Sequence, residues 1–252
     1  MKTIAIKNAA FVSVDNTKTF EDKRLNELYV PEGEVAARVT KTIAHLCKKY
    51  GMLTINVLEE HPLGHVSLAA NYTNKNPFDD ITYDEVKDRT EEDNGIWERA
   101  EFTLSELKTF LFKVKVQKLR PDHAIKGTEG VSLSEPLQEE DFDLKIIKGD
   151  DAGQEAYSGF ERTTLHQELQ QREKGILIKS GVAFDYCLGK TASDWADLGY
   201  QVYIITDGVR GIAQDACDEM KDMLEAKGVA FINSTELETI LENSFIPEAI
   251  LD

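Results

Sequence analysis

The chain is short of cysteine and of basic residues, and it has no long apolar run. Cysteine occurs three times in 252 residues, at Cys47, Cys187 and Cys217, with no CxxC pair. So sparse and odd a set excludes a disulfide framework or a zinc ribbon, and it points to free thiols in a reducing, cytoplasmic compartment. Lys and Arg number 29 against 46 Asp and Glu, a formal charge of −17. Phosphate backbones and anionic membranes are bound through basic residues, so neither nucleic acid nor a membrane surface is an expected partner. No apolar run approaches the ~20 residues of a membrane span. The opening MKTIAIKNAAFVSVDN lacks the apolar stretch and cleavage site of a signal peptide. Also missing are GxxxxGK followed by Ser or Thr, GxGxxG after a strand, and GxSxG. Their absence removes the phosphate cradles and the serine nucleophile elbow.

What is there is an alternation of apolar runs and helical stripes. Residues 9–15 (AAFVSVD), 52–58 (MLTINVL), 142–148 (FDLKIIK), 175–181 (GILIKSG), 201–207 (QVYIITD) and 228–232 (GVAFI) read as buried strands. Val35, Val39, Ile43, Leu46 and Cys47 recur at helical spacing over 33–50, and Gly51 stops that helix. Further stripes lie at 161–173, 184–198 and 211–227, the last with Ala213, Ala216, Cys217, Met220 and Leu224 on one face. This order predicts a single α/β domain over 1–252, a three-layer α/β/α sandwich around a mainly parallel sheet of about six strands. Residues 62–141 break the rhythm. Eight acids and two bases fall between Pro77 and Gly95, a charge run expected to be solvated on a surface insertion at about 68–118. Within it, 103–119 reads as a helix followed by a strand.

Sites in open parallel sheets sit beyond the carboxyl ends of the strands. The residues there are Asp15, Glu59 with His61, Lys148, the segment Ser180 to Cys187, and Asp207. Cys187 falls where a strand turns into a helix, and a helix N-terminus or a nearby lysine lowers a thiol pKa. Asp15 is placed to take its proton and Lys148 to attend both. The alternative is that Cys187 packs on the sheet, Asp15 caps a turn and Lys148 is solvated. A second constellation joins EEHPLGHVS (59–67) to RPDHAIKGTEG (120–130), holding three of the five histidines. Mixed carboxylate and imidazole ligands suit one divalent transition metal, Zn, Fe or Mn. The alternative there is a set of surface histidines in loops. His45 and His166 have no partner in sequence and read as structural or solvated.

These positions, in this order, resemble the nicotinamidase branch of the isochorismatase-like cysteine hydrolases. VDNTKTF (14–20), EEHPLGH (59–65), RPDHAIKGTEG (120–130), IIKGDDAGQEAYSGF (146–160) and SGVAFDYCLGKTASDWADLGY (180–200) carry the resemblance. It implies strand order 3-2-1-4-5-6 and hydrolysis of a small-molecule amide, nicotinamide first, through a cysteine thioester. It implies Asp15, Lys148 and Cys187 as catalytic residues. The oxyanion hole would use the N–H groups of Ala183 and Cys187 beside a cis Val182–Ala183 peptide. Glu59, His61 and His123 would hold the metal, with His65 a candidate fourth ligand. Phe20, Tyr157 and Arg120 would contact substrate. The sequence departs from the pattern at Glu59, where the family has Asp, and at Arg120, where it commonly has Trp. Thr17 and Lys18 replace a Gln-Asn pair. Arg120 has three routes open. It stacks on the substrate ring, it points away while a residue such as Trp97 fills the gap, or it pairs with the carboxylate of an acidic amide. Another small amide, or a non-catalytic binding protein on the same scaffold, are the other readings. A homo-oligomer is compatible with all of them.

Overall fold

A computed structural model describes residues 4–244. The strands are β1 (Ala9–Val14), β2 (Leu53–Glu59), β3 (Asp80–Thr82), β4 (Val116–Lys118), β5 (Leu144–Lys148), β6 (Ile176–Gly181), β7 (Gln201–Val209) and β8 (Ala230–Ile232). The helices are α1 (Lys18–Glu21), α2 (Gly33–Lys49), α3 (Tyr83–Val86), α4 (Leu104–Val114), α5 (Leu165–Gln171), α6 (Gly189–Asp197), α7 (Gln214–Ala226) and α8 (Ser234–Ser244). Six strands form one sheet in the order β5-β2-β1-β6-β7-β8, all neighbours parallel. Counting only these strands, the order is the expected 3-2-1-4-5-6.

Period-two alternation sorts the strand residues between two cores. Phe11, Ile178, Tyr203 and Ile205 face α2 and α8, where Ile43, Ala44, Cys47, Leu237 and Leu241 meet them. Val12, Val14, Leu177, Val202 and Ile204 face the other way, onto α5, α6 and α7 through Leu165, Leu188, Trp195 and Leu224. Both faces of the sheet are therefore covered, which is why its strands read as continuous apolar runs. The stripe expected on 211–227 is less buried than its spacing suggests. Only Leu224 of α7 is fully buried, while Cys217 and Met220 pack from the rim.

The insertion combines a solvated charge run with packing of its own. The 77–95 charge run is largely exposed, but around it the chain closes a small core of its own. Val66, Tyr72, Ile81, Phe102, Leu107, Phe110, Leu111 and Leu119 are buried together beneath the antiparallel β3–β4 pair and α4. A capping box, Thr103 with Glu106, starts α4. This unit carries the loop from Lys118 to His123 toward the sheet.

The parallel register brings the chemistry to one edge. Glu59 ends β2 directly beside Lys148, which ends β5. Val14 ends β1 beside both Val57 and Gly181. Asp15 and the turn bearing Cys187 leave the sheet at that same edge. The contact between β1 and β6 is tight enough to require glycine at 181, where φ is +123° and a Cβ would meet the Val14 carbonyl oxygen.

Candidate active site

Lys148 is the hub. Its Nζ lies 2.6 Å from Glu59 Oε2, 3.2 Å from Asp15 Oδ2 and 3.5 Å from Cys187 Sγ, and it donates to the Ala156 carbonyl at 3.3 Å. Asp15, Glu59 and Lys148 are all buried. The alternative of a solvated Lys148 and a turn-capping Asp15 is thus set aside. Burial pushes the Asp15 carboxyl up to about 6, against the pull of Lys148 and with Glu59 adding to the rise. Burial pulls the Lys148 ammonium down, but the carboxylates of Asp15 and Glu59 outweigh it and hold its pKa well above the ordinary value.

The thiol departs from the sequence expectation. Cys187 sits in a wide turn (Phe184–Leu188) that leads into α6, and burial drives its pKa well up despite Lys148. Charge balance adds to burial. Lys148 already serves two carboxylates, so a thiolate would be a third anion around one ammonium. The resting thiol is neutral. Cys47 is buried in the core and Cys217 is pushed up to about 11, mainly by burial.

Glu59 faces two ways. Its Oε2 contacts Lys148 and approaches Cys187 Sγ at 3.6 Å. Its Oε1 lies 2.6 Å from His61 Nε2 and 3.3 Å from His123 Nε2. The other ring nitrogens are pinned by carbonyls: His61 Nδ1 by Gly149 at 2.7 Å and His123 Nδ1 by Pro121 at 2.9 Å. Such outer contacts fix the tautomer and aim Nε2 at a metal. One ligand atom from each of Glu59, His61 and His123 lies within 4.8 Å of the others. Two imidazoles and a carboxylate converging in this way fit a divalent transition metal. Gly149, with φ +75°, is part of the arrangement, since a Cβ there would strike the His61 ring. His65 is engaged elsewhere. Its Nδ1 meets Ser67 Oγ at 2.8 Å, its Nε2 meets the Gln154 carbonyl at 2.9 Å, and its ring stacks on His61.

Above the thiol lies a cavity of about 260 Å³. Phe20, Phe78, Tyr157 and Tyr186 supply aromatic walls, and Leu28, Val30 and Ile212 supply apolar ones. Ala183, Cys187, His123 and Arg120 also line it, so every residue expected to contact substrate is there. The Val182–Ala183 peptide is cis. Trp97 is not a wall. It is 55% exposed on the insertion, and Phe78 and Tyr186 stand where an extra aromatic was sought. Arg120 stacks its guanidinium on Tyr186, 5.2 Å from the ring centroid. Asp207 is not in the site either; it accepts from the Ser234 N–H and hydroxyl at the start of α8. His45 pairs with Asp141 and His166 with Tyr200, both away from the site. Phe78, Glu155, Tyr186 and Ile212 were not singled out from sequence. Tyr186 adjoins Cys187, and that adjacency is the one signal that marked any of them.

Comparison with known proteins agrees with this geometry. The isochorismatase domain matches residues 9–236. The chain belongs to the isochorismatase family. Among curated members, the nicotinamidase of Escherichia coli is 27% identical over 208 residues, covering 79% of this chain and 84% of its own. A nicotinamidase/pyrazinamidase structure from Acinetobacter baumannii superposes with a TM-score of 0.72 at 24% identity, covering 92% of this chain and 98% of its own. The pyrazinamidase of Pyrococcus horikoshii, solved in complex with zinc, gives 0.67 at 22% identity, covering 90% and 99%. At these identities the structural likenesses establish the isochorismatase fold. Among the described residues, no helix is long and apolar enough to cross a membrane.

Proposed function

We propose that this isochorismatase-family protein hydrolyses nicotinamide to nicotinate and ammonia. The observation that carries the reading is the buried cluster in which Lys148 touches Asp15, Glu59 and Cys187 directly below an aromatic cavity of single-ring size. The nicotinamidase relatives support the choice of amide.

Cys187 is the nucleophile. Because its thiol is neutral at rest and Asp15 is ionised above about pH 6, Asp15 takes the thiol proton as sulfur attacks the amide carbon. Lys148 offsets the charge of Asp15 and holds both groups in place. The N–H groups of Ala183 and Cys187 receive the oxyanion, a contribution of about 3 kcal/mol for each well-placed donor. Asp15 returns the proton to nitrogen, ammonia leaves, and a thioester remains. Water activated by Asp15 then releases the acid and restores the thiol. Glu59, His61 and His123 would hold a divalent metal, which would supply Lewis-acid chemistry at the edge of the cavity. Phe20, Tyr157 and Arg120 bound the ring. An acidic amide is the second reading. The Arg120 guanidinium stacks on Tyr186 and makes no hydrogen bond or ion pair among the described residues, which leaves its donors available for a substrate carboxylate.

Ammonia release from a panel of small amides, with and without chelator, tests both. Nicotinamide should lead the panel. Preference for maleamate by a wide margin in kcat/KM would overturn the nicotinamide assignment and leave the cysteine-amidase reading.

A further inference from the structure

The cavity over Cys187 does not end at a solid wall. A groove of about 590 Å³ adjoins it, and the two share Lys118, Arg120, Glu155, Tyr157 and Tyr186. Most polar groups on this shared boundary are tied down. Lys118 is paired with Asp80 at 2.8 Å, Glu155 accepts from the Ala156 N–H and Gln117 Nε2, and Tyr157 Oη accepts from Gln117 Nε2. Arg120 and Tyr186 are held by each other, guanidinium over ring at 5.2 Å, within the range of a cation–π contact. They come from separate parts of the chain. Arg120 follows β4 on the insertion unit, whereas Tyr186 leaves helical geometry in the turn that carries Cys187, with φ −131° and ψ −111°. Tyr186 is 38% exposed, and its ring faces the Arg120 guanidinium.

We propose that the Arg120–Tyr186 stack is the size filter of the site, a partition that confines the amide to one compact ring and keeps ring substituents out of the outer groove. Opening it joins the inner cavity to a space more than twice its volume. The inner cavity alone falls just under the ~300–1,000 Å³ of sites that take drug-sized ligands. The class excluded is therefore aromatic amides with a bulky ring substituent. This specificity rests on the proposed amidase reading, but the partition itself is testable without it.

The test compares alkylation of Cys187 in the full-length protein by iodoacetamide and by an N-naphthyl iodoacetamide, localised by peptide mass spectrometry. In the parent protein the bulky reagent should lag by about ten-fold or more, relative to the ratio for a free thiol. Arg120→Ala and Tyr186→Ala should each bring that ratio close to the free-thiol value, while Tyr186→Phe, which keeps a ring to stack on, should preserve it. A second arm measures kcat/KM for phenyl-substituted nicotinamide relative to nicotinamide, and this ratio should rise about ten-fold in the two alanine variants. A bulky reagent that shows no lag in the parent, or alanine variants that are folded by circular dichroism and keep the parental ratio, would overturn the filter. Absence of nicotinamide turnover together with the expected labelling pattern would overturn the proposed reaction and leave the filter standing.

Discussion

Replacing Asp15 by Asn keeps the outline of the side chain and deletes the base. In the parent, burial lifts this carboxyl from 3.8 to about 6 in spite of Lys148 at 3.2 Å. Such a group is about 97% ionised at pH 7.5 and about 9% ionised at pH 5, so kcat/KM should fall roughly ten-fold between those values. The break belongs to the coupled set of Asp15, Glu59 and Lys148 rather than to one residue. Asp15→Asn should lower kcat about 10²–10⁴-fold, some 3–5 kcal/mol of barrier, and abolish the acidic limb. The same shift has a stability sign. A carboxyl raised on folding favours the fold below its unfolded pKa, and that contribution is lost as pH rises through the folded value. Parent stability should therefore lose roughly 3 kcal/mol from this group between pH 3.8 and 6, a slope the Asn variant lacks. Initial rates of ammonia release from pH 4.5 to 9, with thermal melts across the same range, read both effects. An Asn variant within about ten-fold of the parent at pH 7.5, or one that keeps the break near pH 6, would refute Asp15 as the base.

Cys187→Ala should abolish turnover without loss of folding; because Asp15 takes the proton of the neutral thiol as sulfur attacks, iodoacetamide should label Cys187 faster than Cys47 or Cys217 near neutral pH, and Asp15→Asn should remove that advantage, whereas equal labelling of the three in the parent would count against proton transfer to Asp15. Purified protein should hold close to one transition metal per chain by elemental analysis, and His61→Ala or His123→Ala should lose it; full activity in chelator by a metal-free protein would remove this claim. Arg120→Trp should preserve or raise nicotinamide turnover, since an aromatic wall is restored, and should cost an acidic amide about 2–5 kcal/mol through lost charge pairing. Retained acidic-amide turnover in that variant would show that Arg120 does not bind the substrate carboxylate.

The strands were legible because both faces of the sheet are buried, so each strand wrote an apolar run ending where the site begins; their order came from the family resemblance. Asp15, Glu59 and Lys148 could be found from that rule of position alone. The walls of the cavity could not. Phe78 comes from an insertion whose core is built from residues far apart in sequence, such as Val66 and Leu119, and no local periodicity announces it. The thiol pKa was misjudged for a related reason. Position predicts a helix terminus and a nearby lysine, but it does not show how deeply the thiol is buried or which anions that lysine already serves. Burial is the larger cause of the rise, and the carboxylates of Glu59 and Asp15 around Lys148 add to it.

Glu59 shows how one methylene redistributes that charge. The β2–β5 register fixes its backbone beside Lys148, so side-chain length alone determines what the carboxylate reaches. The family's Asp is shorter at this position. Here one oxygen meets both imidazoles and the other meets Lys148, 3.6 Å from the sulfur. The metal-type cluster and the thiol cluster thus share a single carboxylate. Its charge raises the pKa of Cys187 and of Asp15 together. The first effect adds to the burial that holds the thiol neutral; the second adds to the burial that brings the base closer to neutrality, where a proton acceptor also becomes a competent donor to the leaving nitrogen. A longer acid at position 59 is therefore compatible with the proposed chemistry, because it moves both partners of the proton transfer in the same direction.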